Sequence, residues 1–246
     1  MCVAAIAGKT HPDWPLVAIG NRDEFHDRPA DPLARWEDGS GIIAGRDLQG
    51  GGTWLGIAEP GRFALVTNYR VPEGPQPGRA SRGILVTDLL AGKPPARTHE
   101  MNPFNLVHAS GQDAWYLGNH PAARHEPLTP GIHGLSNGGF DDLWPKTGQL
   151  QRDLQDWLQS DSPGITPLFE ALRKETPDVS SYLAESEPEA AYAPVFIRNP
   201  VYGTRCSTVV TVNRNGAGTI AEVRFDRNGD CSGKTTLEFC WQFSTQ

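Results

Sequence analysis

Cys2 is the residue of this 246-residue chain whose type and place most directly offer chemistry. It follows the initiator methionine and opens the short apolar run Cys2-Val3-Ala4-Ala5-Ile6-Ala7-Gly8. Removal of Met1 would leave a thiol and a free α-amine on one residue, a nucleophile that carries its own base. An α-amino group titrates near ~7.7 to 8.0 and a free thiol near ~8.5, so around neutral pH the amine can take the thiol proton and later return it. No histidine is needed for that exchange. A free cysteine in an apolar strand is equally at home as packing, so position alone leaves catalysis and burial both open.

The elements that must position Cys2 begin with a hairpin. Val3 to Ala7 and Leu16 to Ile19 read as apolar strands joined by a polar connection with His11-Pro12-Asp13 and Pro15. The second strand runs into the polar cluster Asn21-Arg22-Asp23-Glu24-Phe25. Antiparallel pairing returns that cluster to the chain's start, because the end of one strand then lies beside the beginning of the other. Asp23 would there hold the ammonium of Cys2, and Arg22 would favour the thiolate by its charge. A surface turn accounts for the same residues. Asn68 closes a later strand, where an Asn amide serves either as an oxyanion donor or as a turn former.

Other motifs fail on order or spacing. Gly134-Leu135-Ser136-Asn137-Gly138 matches the G-x-S-x-G elbow of the α/β-hydrolases, but that fold needs a histidine after the serine and the last histidine here is His133. Gly229 to Thr235 has one residue too few for a phosphate loop, and a strand follows it. Gly39-Ser40-Gly41-Ile42-Ile43-Ala44 meets the dinucleotide fingerprint loosely, with a polar loop before it and an extended stretch after. The seven histidines form no metal-ligand spacing.

Composition narrows the class. The chain is 38% hydrophobic and 21% charged, which suits a soluble globule with a sizeable core, read as a single domain over residues 1–246. A formal charge of −7 argues against nucleic acid, whose phosphates call for clustered Lys and Arg. The apolar start lacks a basic n-region and is too short for a secretory signal or a membrane span, so a cytoplasmic location is the expectation. Cys2, Cys206, Cys231 and Cys240 show no paired spacing and are expected to be free thiols.

Further along, Gly50 to Ile57 and Arg62 to Tyr69 read as a second hairpin. Ser81 to Leu90 has amphipathic helical spacing and stops at Gly92. Asn105 to Ala109 and Ala114 to Leu117 read as strands, Pro145 to Leu158 and Pro167 to Lys174 as helices, and the acidic Ala184 to Ala191 as a loop. Val195 to Ile197, Ser207 to Val212, Thr219 to Phe225 and Thr235 to Phe243 supply closing strands.

With Met1-Cys2, Asn21-Arg22-Asp23-Glu24, Gly52-Thr53-Trp54, Thr67-Asn68-Tyr69-Arg70, Leu135-Ser136-Asn137 and Gly203-Thr204-Arg205 in view, the chain over nearly its whole length resembles the NRDE family, that of Transport and Golgi organisation 2. That family looks like the N-terminal nucleophile hydrolases, in particular the branch of choloylglycine hydrolase and penicillin V acylase. The resemblance implies an α+β fold, a four-layer αββα sandwich of two antiparallel sheets. It also implies roles: Cys2 as nucleophile, Asp23 at its amine, Asn68 and Asn137 as oxyanion donors, and Arg205 beside the thiol. Arg22 matches unevenly, since the acylases place their arginine a few residues before the aspartate, and Glu24 has no clear counterpart.

Together these residues make a parts list for acyl transfer through a thioester at Cys2, with no cofactor and a small amide or thioester as substrate. The alternative is a carrier on the same scaffold that holds a hydrophobic ligand, haem or an acyl or lipid group, with Cys2 as a wall or ligand residue. A third reading makes Cys206 an internal nucleophile exposed by self-cleavage.

Overall fold

The computed structural model describes residues 2–59, 61–142, 144–160, 164–176 and 193–241. Two antiparallel sheets lie face to face. The first runs, in spatial order, β10 (Gly131–Leu135), β1 (Cys2–Gly8), β2 (Leu16–Phe25), β11 (Tyr202–Val212), β12 (Ala217–Phe225) and β13 (Cys231–Cys240). The second is a meander in chain order: β3 (Ala30–Arg35), β4 (Ile42–Asp47), β5 (Leu55–Ala58), β6 (Arg62–Asn68), β7 (Phe104–Ser110), β8 (Asp113–Gly118) and β9 (Arg124–Pro127).

Strand alternation sorts the apolar side chains into three layers. Ala4, Ile6, Ala18, Val210 and Ile220 of the first sheet meet Ile43, Leu55, Ile57, Leu65 and Val107 of the second. The intervening residues Val3, Ala5, Ala7, Val17, Ile19 and Val209 turn outward onto helices α2 (Pro145–Gln159) and α3 (Thr166–Leu172). On the far side Ile42, Ala44, Ala64 and Val66 meet helix α1 (Arg82–Leu90) through Leu85, Val86, Leu89 and Leu90. The result is an α+β sandwich in the four-layer αββα order that the resemblance implies. Leu150, Leu154, Trp157 and Leu158 of α2 recur on one helical face and are all buried, at about 1.5–3 kcal/mol each for the large apolar side chains.

The strands and helices follow the sequence pattern in most places and depart from it at identifiable ones. The polar cluster Asn21 to Phe25 is not a turn: β2 carries straight through it, with Asn21, Arg22 and Asp23 buried and Phe25 exposed at its end. The strand expected over Gly50 to Ile57 begins only at Leu55, because Asp47 and the glycines after it form a turn with Gly51 at φ 75°. β3 is an edge strand hidden in sequence by Pro32, and its register shifts between Asp31 and Ala34. The edge strand β9 has no apolar alternation to announce it, and all four of its residues are exposed. Val195 to Ile197 is buried but is not a strand, and β13 starts earlier than Thr235, at Cys231. The acidic stretch from Ala184 to Ala191, and Phe243, lie outside the described residues. Among the described residues no helix is long and apolar enough to cross a membrane.

Candidate functional site at the Cys2 end of the sandwich

The β1–β2 hairpin places Cys2 directly opposite Arg22. By alternation with Ala4 and Ile6, the Cys2 side chain points between the sheets. On the other side of β2, Cys206 is also registered on Arg22, past a bulge between Thr204 and Cys206. Arg22 reaches across the gap to β4, where its Nη2 donates to Asp47 Oδ2 at 2.9 Å. Arg28 Nε donates to the same oxygen at 2.7 Å, and Glu24 lies within 4 Å of both guanidinium groups. Asp47 Oδ1 in turn accepts the backbone N–H groups of Gln49 at 3.1 Å and Gly50 at 2.8 Å. One carboxylate therefore fixes two arginines and the turn that walls the site, and those charges hold the Asp47 carboxyl below the usual range against the effect of its own burial.

Asp23 alternates with Arg22 and shares the parity of Val17, Ile19 and Asn21, the face of β2 turned to the helices. Asn21 Nδ2 donates to the carbonyls of Leu172 and Val195, both at 2.8 Å, which ties this face to the end of α3. Thr204 Oγ1 donates to Asp23 Oδ1 at 2.7 Å. Burial pushes the Asp23 carboxyl up to about 6, opposed by the N-terminal ammonium, by Lys146, by the Thr204 bond and by Arg22. The Cys2 thiol is likewise raised by burial, opposed by the N-terminal ammonium; the Asp23 charge raises it further, while Arg22 and a hydrogen bond from the Asp23 backbone lower it.

A polar cavity of about 350 Å³ opens on Cys2. Its walls are Arg22 and Glu24 on one sheet, Asp47, Thr53, Trp54 and Asn68 on the other, and Ser81, Arg82 and Gly83 at the start of α1. Two glycines make the closeness achievable. A Cβ on Gly20 would come within 3.1 Å of Trp54, and one on Gly52 would run into the Gly83 carbonyl. A broader hollow of about 670 Å³ shares Glu24, Arg28, Asn68 and Arg82 with the first and adds Tyr69, Asn137 and Tyr202. A separate cavity of about 350 Å³ lies at the opposite end of the sandwich, lined by Ile6, Leu16, Phe63, Val107 and Trp241.

Cys2, Arg22, Asp23 and Asn68 thus line one cavity. Asn137 lines the adjoining hollow, and its Nδ2 donates to the Asn68 carbonyl at 2.6 Å, leaving one N–H of that amide for another acceptor. Arg205 is not at the thiol's cavity. Its Nη1 donates to the carbonyls of Phe25 at 2.7 Å and Arg28 at 3.0 Å, and burial lowers its pKa. Cys206 is buried next to Glu222, in a pocket of about 60 Å³ behind Arg22, and burial followed by the Glu222 charge holds its thiol far above the ordinary range. All four cysteines are free thiols.

Sequence reasoning did not single out Asp47, Arg28, Arg82 or Lys146, and it set Ser136 aside as an elbow nucleophile. Ser136 Oγ donates to the Cys2 carbonyl at 3.2 Å, so the discarded elbow serine touches the backbone of Cys2. Arg82 stands in the first turn of α1, where burial lowers its pKa and the charges of Cys2 and Glu24 oppose that. Asp47 had a local signal, an acid before three glycines, which is turn chemistry. The burial of Lys146 had none.

The layers and this site define a four-layer α+β protein with a buried cysteine, an arginine and an aspartate gathered at the open end of its N-terminal hairpin. The chain belongs to the Transport and Golgi organisation 2 family, whose sequence profile matches residues 1–227. It is 31% identical over 257 residues to a mouse Transport and Golgi organization 2 homolog, covering 92% of this chain and 93% of that one. To the human homolog it is 32% identical over 236 residues, covering 84% and 85%. A Caenorhabditis elegans ortholog of N-acylethanolamine-hydrolyzing acid amidase superposes with a TM-score of 0.47 at 12% identity, over 85% of this chain and 92% of that one.

Proposed function

We propose that the protein is an N-terminal cysteine hydrolase that cleaves a small amide or thioester after Met1 is removed. The observation that carries this reading is the cross-strand pair of Cys2 and Arg22 at the wall of a polar cavity, with Asp23 next in the chain. In the first step the Cys2 α-amine takes the thiol proton and sulfur attacks the carbonyl carbon. The C–N bond then breaks, and the amine returns the proton to the departing nitrogen. In the second step water attacks the thioester carbon, its proton passes through the same amine to sulfur, and the acid is released.

Each neighbour has a physical task in this scheme. Asp23 orients the α-amine, and Arg22 offsets the cost of a buried thiolate. The remaining N–H of Asn137 and the amide of Asn68 are the candidate donors to the oxyanion. The steps use the Cys2 α-amine, side chains and water, without a cofactor. The test is covalent labelling with an acylating electrophile followed by peptide mapping. Labelling confined to Cys2 and lost in Cys2→Ser supports the reading, whereas equal labelling of the Cys2→Ser protein contradicts it.

A further inference from the structure

Lys146 is the most thoroughly buried long cation among the described residues, at 2% exposure. Two effects oppose it there. An ammonium out of water demands a compensating charge or hydrogen bonds, and Lys146 also stands in the first turn of α2, directly after Pro145, where the positive end of the helix dipole disfavours a cation. No acidic residue stands in that turn to offset it. A leucine or methionine would fill the same space without either cost.

The surroundings of Lys146 can be traced from its neighbours. A Cβ on Gly134 would lie 3.0 Å from Thr147 Cβ, so the start of α2 is pressed onto β10, the strand beside β1. Trp144 is pressed in the same way against Gly138. Lys146 therefore lies over the end of β10 that neighbours Cys2, where Ser136 Oγ meets the Cys2 carbonyl. The buried carboxylates among the described residues are Asp23 and Glu222. Glu222 faces the other sheet, accepting the Leu33 N–H at 3.0 Å. Asp23 is the one whose strand face is turned to the helices.

We propose that Lys146 is a positioning residue of the Cys2 site, a buried cation that keeps the Asp23 carboxylate charged and in place on the helix side of β2, where it serves the Cys2 amine. This deepens the hydrolase reading and rests on it for its catalytic consequence. Among the charges that favour ionised Asp23, Lys146 follows the N-terminal ammonium and precedes Arg22, with the Thr204 hydroxyl between them. The cations after α3 are occupied elsewhere, Arg173 on the Gly229 carbonyl and Lys174 on Asp153.

The test compares Lys146→Met and Lys146→Arg with the parent chain. Carbon-detected NMR follows the Asp23 carboxyl through its titration, and iodoacetamide alkylation of Cys2 is timed across the same pH range. Lys146→Met should raise the Asp23 midpoint by about one pH unit and move the acid limb of Cys2 alkylation with it, while Lys146→Arg restores both. In an Asp23→Asn background Lys146→Met should leave the alkylation profile unmoved. Should Lys146→Met alone fold poorly, the Asp23→Asn/Lys146→Met double variant should fold better, since neither charge is then stranded. An unchanged Asp23 midpoint, an arginine that fails to restore it, or a double variant no better than the single one overturns the proposal. A parent protein whose Cys2 never reacts with acyl donors sinks the hydrolase reading instead, and the carboxyl titration still decides this one.

Discussion

Cys2 and Arg22 are cross-strand partners in the β1–β2 hairpin, and Arg22 is anchored at 2.9 Å to Asp47 of the opposite sheet. Arg22 is thus held from across the cleft, and the acid that holds it also organises the turn behind Trp54. The geometry around Cys2 and the packing of the two sheets depend on the same carboxylate.

Removing that carboxylate should therefore be felt in both. Asp47→Ala leaves Arg22 and Arg28 with Glu24 alone at 3.9 and 3.8 Å. We expect a loss of about 2–3 kcal/mol, measured by urea denaturation, because a partly buried pair has lost one member. The Asp47 carboxyl is depressed in the folded state, so its stabilisation is present above the unfolded carboxylate pKa of ~3.9 and is lost as pH falls through the lower folded value. The gap between parent and variant should accordingly narrow below about pH 4.

Asp23 behaves in the opposite sense. Its carboxyl is raised to about 6, so between the unfolded value and that one the folded protein binds the extra proton, and stability falls as pH rises through this window. Relative to the parent, Asp23→Asn should gain about 1–3 kcal/mol as pH rises from ~4 to ~7.5, read as the change in the difference of thermal midpoints, on top of the cost at both pH values of leaving Lys146 without that carboxylate. The same variant should react slowly at Cys2. A difference between variant and parent that does not move with pH would contradict this account.

How far the sequence carries these conclusions can be judged from particular residues. The hairpin that brings residues 21–23 back to Cys2 is legible in the alternation of β1 and β2 and in the polar link between them, and so is the apolar face of α2. Asp23 was legible only as a choice between site and surface turn, and burial excludes the turn, since Asn21 is anchored to α3 and Thr204 bonds to Asp23. Arg205 shows the limit: a residue next to Cys206 in sequence is turned by a β-bulge toward the Phe25 and Arg28 carbonyls. Lys146 shows another, because a lysine early in an amphipathic helix reads as solvated, and only the close approach allowed by Gly134 puts it inside. β3 and β9 are edge strands: β3 buries Leu33 alone and β9 nothing, so no period is imposed on the sequence.

Gly52 tests the positioning of Arg82. An added methyl there meets the Gly83 backbone in the first turn of α1, which cannot give way as a side chain would. Gly52→Ala should cost about 1–3 kcal/mol and displace Arg82 from the cavity wall, visible as changed chemical shifts at Ser81 to Ile84. A variant with parent stability and unmoved shifts would show that the two loops part freely.

Asn137 links the loop after β10 to the end of β6 through its bond to the Asn68 carbonyl. Asn137→Ala should lower the rate of Cys2 acylation about 10²- to 10³-fold while leaving alkylation by iodoacetamide, which forms no oxyanion, within a few-fold of the parent. Equal losses in both reactions would mean that the asparagine supports the fold and not the oxyanion.

The central claim is that Cys2 becomes the chain's first residue and takes an acyl group. Intact-mass analysis of freshly purified protein, before and after exposure to an acylating electrophile, addresses both halves at once. The account predicts a starting mass lacking methionine and a single added acyl group that maps to Cys2. Retention of Met1 in protein that nevertheless acylates elsewhere, or a trimmed chain whose Cys2 stays unmodified, would contradict it.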